Sequence, residues 1–422
     1  MGIEKTSDMR DMSKENREMT ARVEGIERKR RVLLIYRVLI PSVRLCGHCQ
    51  MEYLAEQGRL EYRAVQEMKL VAEDIDWADI LLLGRLDSWY EHRLSRMAHE
   101  AGKYLAYILD DDLLNIPPEI SSGYYYGQRE IQEYIRDMIE LSDAIVSPSP
   151  LLLEKYASGK RAIQIEEPAI DPVEYRPRAS GEPVKIGFAG SIDRIEDIED
   201  VLRDALIQIG DAYGDRVRFE FLGAEPDFAK RLGARCVPYC DAYEEYRRAL
   251  NALQWDIGLA PMPDTPFHAC KHYNKFSEYA AAGIVGVFSD VYPYTRIKTV
   301  FPGCGVFCEN TPESWVQALR GLIEDFDGRE DVRRRATQCA WSSLNISRCA
   351  EGLWAALPSL STLETPGKKI IGLGFLKVRN LWERLKTKYR GYGVRGLLSA
   401  AGQRARGIAE RFGQDDRQES QS

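Results

Sequence analysis

Two cysteines in the stretch RLCGHCQ, residues 44–50, have the spacing of a thiol–disulfide exchange site. Cys46 and Cys49 enclose a glycine and a histidine, and a Cys-x-x-Cys at the start of a helix is an arrangement that activates a thiolate. A thioredoxin-like domain also needs a cis-proline facing the pair, yet no proline occurs between Pro41 and Pro117. Thiol oxidoreduction is therefore only an alternative hypothesis.

A second candidate is the stretch PFHACKHYNKFSEYAAAGIVGVFSD, residues 266–290. A basic loop with Lys271 leads into a predicted short helix, which Gly283 can end in a left-handed conformation before a strand begins. The free amides and positive dipole end of a helix N-terminus suit a diphosphate. Glu278 lies one turn after Lys275, where a carboxylate could bind the two hydroxyls of a ribose. A solvated helix with an i, i+3 ion pair explains these residues equally well.

Three consecutive aspartates, residues 110–112, follow the apolar run that begins YIL at residue 107. If that run is a strand, the aspartates lie at its carboxyl end and face a cleft. There they could bind or deprotonate a hydroxyl of a substrate. A capped turn between strand and loop is an equally good interpretation.

The remaining cysteines and histidines do not have the pattern of a metal site. Nine cysteines, an odd number, and five histidines are spread over 422 residues, which indicates free thiols. Cys236/Cys240 and Cys304/Cys308 could each supply half of a zinc site, and HACKH, residues 268–272, offers further ligands. None of these sets has the partners that a tetrahedral site requires. We therefore predict neither a metal nor a cofactor.

Short apolar runs, separated by helix-length segments, predict buried parallel strands in both halves of the chain. The predicted strands are 31–40, 78–85, 103–109 and 143–149, followed by 184–190, 217–223, 255–262, 283–290 and 305–310. Between the two sets, residues 166–184 contain four prolines and no periodicity, which is typical of a linker. The pattern predicts an α/β protein with two tandem Rossmann-like domains, whose strand ends face each other across a cleft.

Charge is unevenly distributed along the chain. Residues 1–30 are charged throughout without an apolar centre, so we expect a helical or disordered leader, no secretory signal and a cytoplasmic protein. Between residues 368 and 411, twelve Lys and Arg face two acidic residues, a net charge of +10. The whole chain carries −7, so the other residues carry −17. An acidic body argues against nucleic acid as a partner, and a basic tail favours an anionic surface.

The basic tail also has helical periodicity. In FLKVRNLWERLKTKYR, residues 375–390, apolar side chains recur at helical spacing while Lys and Arg fill the other face. No apolar run in the tail is long enough to span a membrane. We expect a basic amphipathic helix that lies on an anionic bilayer surface. A helix that packs back on the protein is the alternative.

Four motifs together resemble GT-B glycosyltransferases of the group 1, family 4-like type. In chain order they are PAIDPVEYRP, GFAGSIDRIED, WDIGLAPM and NKFSEYAAAGIVGVFS. The resemblance implies a GT-B fold with an N-terminal acceptor domain at 31–175 and a C-terminal nucleotide-sugar domain at 176–360. The leader, 1–30, would precede these domains and the basic tail, 361–422, would follow them. The resemblance also implies metal-independent sugar transfer from a nucleotide diphosphate sugar, with retention of configuration.

The resemblance also implies roles for individual residues of the C-terminal domain. The residues that match the family's donor-binding positions are Gly190, Ser191, Arg194, Cys270, Lys271, Lys275 and Glu278. The glycine-containing loop and the basic residues would lie near the diphosphate, where cations stabilise the charge of the leaving group. Glu278 would bind the ribose. The family's first glutamate, eight positions earlier, falls at Cys270, so the chain departs from the pattern at the donor-sugar contact.

On the acceptor side of the cleft, His48, Asp110 and Asp111 are candidate catalytic residues. The aspartates also match the Asp-x-Asp motif with which GT-A glycosyltransferases hold a divalent ion, but a second set of strands and helices fits GT-B better. We expect a cytoplasmic enzyme that acts on a glycan or lipid-linked acceptor, held by its tail at the inner face of the plasma membrane. A catalytically inactive nucleotide-binding protein is the alternative that Cys270 suggests, and a thiol–disulfide oxidoreductase is the other.

Overall fold

The computed structural model describes residues 28–178, 183–363 and 369–380. Within these residues, two parallel sheets of six strands each form the centres of two consecutive domains. Most of the predicted leader, and the part of the predicted tail after residue 380, lie outside the described residues.

The first sheet belongs to the N-terminal domain and is parallel throughout. Its strands are β1 (Arg31–Tyr36), β2 (Glu61–Gln66), β3 (Ile80–Gly84), β4 (Tyr104–Ile108), β5 (Ala144–Ser147) and β6 (Arg161–Gln164). The order β2-β1-β3-β4-β5-β6 reverses direction between β1 and β3. In such sheets the crevice at the carboxyl ends of the strands around the reversal is where ligands bind.

The second sheet repeats this plan in the C-terminal domain. Its strands are β7 (Val184–Ala189), β8 (Val217–Leu222), β9 (Arg235–Val237), β10 (Ile257–Ala260), β11 (Val285–Ser289) and β12 (Val306–Cys308). The order β12-β11-β10-β7-β8-β9 reverses between β7 and β10, and all pairs are again parallel. The loops after β7 and β10 therefore start at the binding edge of this sheet.

Helices cover both faces of each sheet. Those of the N-terminal domain are α1 (Pro41–Val43), α2 (Cys49–Glu56), α3 (Ala72–Trp77), α4 (Trp89–Glu100), α5 (Gly123–Tyr126), α6 (Arg129–Leu141) and α7 (Pro150–Tyr156). The later helices are α8 (Ile195–Tyr213), α9 (Tyr243–Leu253), α10 (Pro266–Ala269), α11 (Asn274–Ala281), α12 (Thr295–Val300), α13 (Pro312–Glu324), α14 (Phe326–Ser342), α15 (Ile346–Ala356) and α16 (373–380). A π-helical segment, Arg44–His48, joins α1 to α2. Short 3-10 turns lie at Ile192–Arg194, Gly214–Arg216, Asp227–Lys230 and Leu360–Thr362.

The central strands are apolar because both of their faces are covered. Every residue of β3, β5, β10 and β11 is buried, and a parallel sheet between two helical layers requires this. Apolar clusters lie on both sides of each sheet. The rigid layers hold the strand ends, and the loops that follow them, in fixed positions.

The apolar runs predicted the central strands and the edge strand β12, but not the other three edge strands. The run 31–40 was too long, since β1 ends at Tyr36 and α1 begins at Pro41. The edge strands β2, β6 and β9 were missed. None of the residues of β2 or β9 is buried, and only Ile163 is buried in β6, so these strands lack the continuous apolar pattern of a two-sided core.

The linker and α15 connect the two domains. Backbone bonds from Ala169 to Leu344 and from Val173 to Ala281, both 2.8 Å long, fix the linker to the C-terminal domain. Helix α15 then returns to the N-terminal domain, where Ala350 and Leu353 join the core that covers the first sheet. The chain thus crosses between the domains twice.

The described part of the basic tail packs on the N-terminal domain. Ile370, Leu373 and Leu376 are buried in the apolar cluster that also contains residues of α4 and α6. Among the described residues, the helices are too short or too polar for any of them to cross a bilayer.

Candidate functional site

The cleft between the domains contains two adjoining cavities. The smaller cavity, of about 270 Å³, is bounded by the loops after β7 and β10, by the start of α11 and by Asp110 and Asp111. The larger cavity, of about 930 Å³, extends from there along the loop 115–122 and the start of α8. Four residues line both cavities, and they are Asp111, Ser191, Arg194 and Lys271. A ligand in one cavity could therefore touch a ligand in the other.

The two cavities differ in charge. The smaller cavity has three cations, Arg194, Lys271 and Lys275, against two aspartates. Its third carboxyl group, Glu167, has a pKa raised to about 8, chiefly by burial, so it is mostly neutral at neutral pH. The formal charge is then +1. The larger cavity has six carboxyl groups and four Lys or Arg side chains, a formal charge of −2. An anion therefore fits the smaller cavity better.

An ion pair joins the domains where the cavities meet. Lys271 Nζ of the C-terminal domain lies 2.8 Å from Asp111 Oδ1 of the N-terminal domain. Arg85 lies 3.6 Å from Asp111 and 2.7 Å from Asp110. Burial alone would raise the pKa of Asp111, but Lys271 and Arg85 hold it below its usual value. Asp111 is thus an ionised carboxylate at neutral pH and a weak base.

Arg85 was missed in the sequence, although its position gives a signal. It directly follows β3, and a cation immediately after a buried strand lies at the binding edge of a parallel sheet. Its φ angle of 51° is left-handed, which non-glycine residues rarely adopt. Such a backbone conformation is common at functional sites, and here it accompanies the contact with Asp110.

The third aspartate of the run has a different environment. Asp112 is buried and binds Lys155 Nζ at 2.6 Å, the Tyr156 hydroxyl and Asn115 Nδ2 at 2.9 Å. These contacts tie the loop after β4 to α7. The run therefore separates into two aspartates that line the smaller cavity and one that is held chiefly in the framework of its own domain.

Cys270 lies next to Lys271 but does not line either cavity. Its side chain is buried in the apolar cluster of the N-terminal domain, and its Sγ lies 3.9 Å from Asp112 Oδ2. The residue at the family's donor-sugar position is thus part of the contact between domains.

The loop after β7 supplies the remaining wall that both cavities share. Ser191 and Arg194 line both of them, whereas Gly190 lies behind, with its amide bonded to Leu222 O at 3.0 Å. Arg194 donates to Pro261 O at 2.9 Å and pairs with Asp197 at 3.1 Å. These bonds hold its guanidinium at the cleft, beside the N-terminus of α8.

The start of α11 borders the smaller cavity. Asn274 and Lys275 line it. Glu278, one turn later, accepts from Lys275 Nζ and from the Tyr246 hydroxyl, each at 2.6 Å. The predicted i, i+3 ion pair is present, but it is largely buried rather than solvated. Glu278 lines a separate small cavity that shares Asn274 and Glu167 with the smaller cavity.

Two histidines near the basic loop were not predicted as site residues. His272 lines the smaller cavity, and its side chain is buried. Burial, together with Arg296, lowers its pKa to about 3. His268 lines the larger cavity, and burial, Arg194 and Lys271 lower its pKa to about 4. Both are neutral at neutral pH and add no positive charge.

His48 lies apart from this group of residues. Its Nδ1 is 2.8 Å from the Tyr62 hydroxyl, and its Nε2 is 3.7 Å from Glu52. It lines none of the cavities described here. The structure therefore brings Asp110 and Asp111 together with the basic loop, but not His48.

The Cys-x-x-Cys lies within the helical segment rather than on an exposed loop. Cys46 is fully buried, and burial raises its pKa well above the usual value. Its Sγ lies 3.4 Å from Glu167 Oε1. Burial also raises the pKa of Cys49 to about 11. Thiol exchange needs a thiolate, and this environment disfavours it at both cysteines.

Among residues 28–178, 183–363 and 369–380, no group of three or more His, Cys, Asp or Glu side chains is placed to hold a metal ion.

Comparison with known proteins finds likeness in structure only. No protein-family model matches the sequence, and no curated protein matches it. Solved structures do match along most of the chain. Anabaena HepE, in complex with UDP and glucose, superposes with a TM-score of 0.53 and 13% identity, over 78% of this chain and 99% of HepE.

Two further structures match to a similar extent. An alpha-glucosyltransferase, in complex with UDP and a 13-mer DNA containing an HMU base, has a TM-score of 0.54 and 11% identity, over 78% of this chain and 99% of its own. A glycosyltransferase from Rickettsia africae has a TM-score of 0.53 and 15% identity, with coverages of 78% and 98%. The predicted GT-B fold, two Rossmann-like domains facing a cleft, is confirmed.

Proposed function

We propose that the protein is a glycosyltransferase that moves a sugar from a nucleoside diphosphate sugar to a glycan or lipid-linked acceptor. The observation that carries this proposal is the pair of adjoining cavities with opposite formal charge, which meet at Lys271 and Asp111. A donor and an acceptor placed in them would have their reacting atoms at this contact. The three solved structures compared above are glycosyltransferases or carry UDP by their descriptions, which supports UDP as the leaving nucleotide.

The donor is placed in the smaller cavity because its diphosphate is an anion. Arg194, Lys271 and Lys275 supply the positive charge, and the positive dipole ends of α8 and α11 add to it. As the sugar leaves, negative charge gathers on the diphosphate, and these fixed cations stabilise it without a bound metal ion. The ribose would bind at Glu278, where its hydroxyls would replace the hydrogen bonds from Lys275 and Tyr246.

The acceptor is placed in the larger cavity, which has net negative charge. The reacting end of the acceptor is then neutral, as in an unmodified sugar, or cationic, as in an amino sugar, because the cavity would repel an anionic group. Asp111 accepts a hydrogen bond from the attacking hydroxyl and orients it. With its lowered pKa, Asp111 is too weak a base to remove the proton early.

The transfer then proceeds on one face of the sugar. The bond between the anomeric carbon and the diphosphate oxygen breaks, and the bond to the acceptor oxygen forms. The acceptor proton passes to the departing diphosphate oxygen, which Lys271 and Arg194 hold at the junction of the cavities. This course retains the configuration of the anomeric carbon.

The direct test is a binding and slow-hydrolysis screen of the purified protein against UDP-, GDP-, dTDP- and CDP-linked sugars, with and without EDTA. We expect one donor, UDP-linked, to bind in EDTA. Lys275→Ala should weaken its binding about tenfold or more because a charge-assisted contact is lost. Lys298→Ala is the matched control, since Lys298 pairs with Asp290 and lines neither cavity. Absence of any donor binding, or equal loss in both variants, would refute the donor site.

A second candidate is a nucleotide-binding protein without catalytic activity. The specific observation is Cys270, which is buried against the N-terminal domain and leaves the donor-sugar position without a carboxylate. The same screen separates the two candidates. Donor binding without hydrolysis, and without transfer to any of a panel of sugar acceptors, would favour the inactive protein.

A further inference from the structure

Helix α16 is anchored to the N-terminal domain by one of its sides. Leu373 and Leu376 are buried in the core, as is Ile370 just before the helix. The amide of Ile370 donates to Asp76 Oδ1 at 3.2 Å, and the Arg379 guanidinium lies 4.8 Å from the centre of the Trp89 ring. The helix therefore has a defined position and a defined outer side.

The outer side of α16 is also apolar. Phe375 and Val378, at i, i+3 spacing, are 71% and 73% exposed, and Ile371 just before the helix is 82% exposed. Ten large apolar side chains are exposed in the described residues, and three of them lie within residues 371–378. A helix with apolar side chains on two sides needs a second apolar environment besides its own core.

Cations lie close in sequence to this exposed group, which we call the outer face (Ile371, Phe375 and Val378). Lys369, Lys377 and Arg379 lie in the same segment, which has no acidic residue, and none of the three forms an ion pair within the described residues. The chain then continues through residues 381–411, with eight Lys or Arg against two acidic residues. Apolar side chains among unpaired cations match the headgroup region of an anionic bilayer, which offers acyl chains below negative charge.

A protein partner fits this surface less well. A stable protein interface buries about 800 Å² on each partner, and three side chains supply only part of that area. Their cationic surroundings would also repel a second copy of the same face. A bilayer needs no such area, because binding adds up from the apolar side chains and from each cation near the anionic surface.

The course of α16 relates the outer face to the cleft. The segment starts beside Asp76, which precedes β3, and ends beside Met68 and Trp89, which follow β2 and β3. It therefore runs toward the carboxyl ends of the strands, which is the edge that borders the cleft. A bilayer on the outer face would lie next to the N-terminal domain, on the acceptor side.

We infer that Ile371, Phe375 and Val378 insert into the surface of an anionic membrane and that the N-terminal domain is the domain held there. The inference does not depend on the donor site, since it uses only the position and chemistry of α16.

The experiment is co-sedimentation of the full-length protein with vesicles of phosphatidylcholine alone and of phosphatidylcholine with phosphatidylglycerol. We expect binding to the anionic vesicles only. The triple variant Ile371→Ser, Phe375→Ser, Val378→Ser should lose about tenfold or more in affinity, because three inserted side chains are removed while every cation stays. Tyr239→Ser with Val300→Ser is the matched control, since both residues are exposed in the C-terminal domain, and it should bind as the wild type does.

Several outcomes would overturn the inference. Absence of binding to anionic vesicles would do so, and so would a triple variant that binds them as well as the wild type, because the basic tail alone would then be sufficient. A wild-type dimer that the triple variant converts to a monomer would show that the outer face contacts a second copy. Near-UV circular dichroism checks the fold, and unchanged donor binding in the triple variant separates this result from a failure of the donor site.

Discussion

The two domains share one architecture but present opposite charges to the smaller cavity. Each has a six-stranded parallel sheet whose strand order reverses at its first strand. At the binding edge, the N-terminal domain presents Asp110 and Asp111, whereas the C-terminal domain presents Arg194, Lys271 and Lys275. The doubly wound sheet thus provides a position for chemistry, and the residues directly after the strands decide which chemistry it is.

The difference in charge between the domains also supplies one of the contacts that join them. Among the residues that line the two cavities, one ion pair joins a cation of one domain to a carboxylate of the other. That pair is Lys271 with Asp111. A donor diphosphate would compete with Asp111 for Lys271. In the proposed function, donor binding and this contact between the domains would be coupled through Lys271.

The largest effect should follow from removing that lysine. Lys271→Ala deletes a cation at the point where charge develops on the leaving diphosphate. We expect the rate of donor hydrolysis to fall about 10²–10³-fold, as when a preorganised transition-state contact is lost. Single-turnover hydrolysis of the donor identified by the binding screen measures this rate.

Asp111→Asn is the matched control for Lys271→Ala. It breaks the same ion pair between the domains but leaves the cation in place. Donor binding should stay the same or become tighter in Asp111→Asn, because Lys271 is freed. If Asp111→Asn weakened donor binding as much as Lys271→Ala does, the ion pair rather than the cation would matter, and the division of charge between the domains would lose its functional meaning.

A smaller effect is expected from Glu167, whose neutral form keeps the smaller cavity positive. Burial raises its pKa from 4.5 to about 8, so the folded protein holds an extra proton between these pH values. The free energy of unfolding therefore falls as pH rises through this window. Glu167→Gln has no carboxyl group to titrate, so its free energy of unfolding should not fall in this way. Between pH 5 and pH 8, we expect the free energy of unfolding of the variant to rise by about 1–3 kcal/mol relative to that of the wild type.

Urea denaturation at the two pH values measures the gain for Glu167→Gln. Glu225→Gln serves as a control, because Glu225 is exposed. This variant should have the same stability as the wild type at both pH values. A Glu167→Gln variant that also follows the wild type would mean that Glu167 is ionised in the folded protein, and the smaller cavity would then have no net positive charge.

The sequence predicts those parts of the molecule that are buried on two sides. The central strands are continuous apolar runs, and a single run such as ILLLG of β3 identifies its strand. The edge strand β2 is a mixed EYRAVQ because it is half solvated, so no apolar run marks it. An apolar run in the sequence indicates a strand that is buried on both faces. The burial of an edge strand depends instead on which distant parts of the chain pack against it, and these cannot be identified from the strand's own residues.

In the candidate site, too, contacts between residues close in sequence are predictable, whereas contacts between the domains are not. Lys275 and Glu278 are one helical turn apart, so their pairing follows from the sequence alone. The contact of Lys271 with Asp111 spans 160 positions, and only the assembled domains create it. His48 was selected for its place after the first strand, but the chain enters a helix there, which directs the imidazole to Tyr62 and away from the cavities.

The smallest effect is expected at Cys270, which lies beside Lys271 in sequence but faces the other domain. Cys270→Ala should leave donor affinity within about twofold of wild type and cost about 1 kcal/mol of stability, as for a small buried side chain. Cys270→Glu, which introduces the glutamate of the family that the sequence resembles, should not improve donor binding, because it would place a carboxylate in an apolar core next to Asp112. Isothermal titration of the donor and urea denaturation measure both quantities. If Cys270→Ala instead weakened donor binding as strongly as Lys271→Ala, the thiol would have to contact the donor in the smaller cavity, and its assignment to the contact between the domains would be refuted.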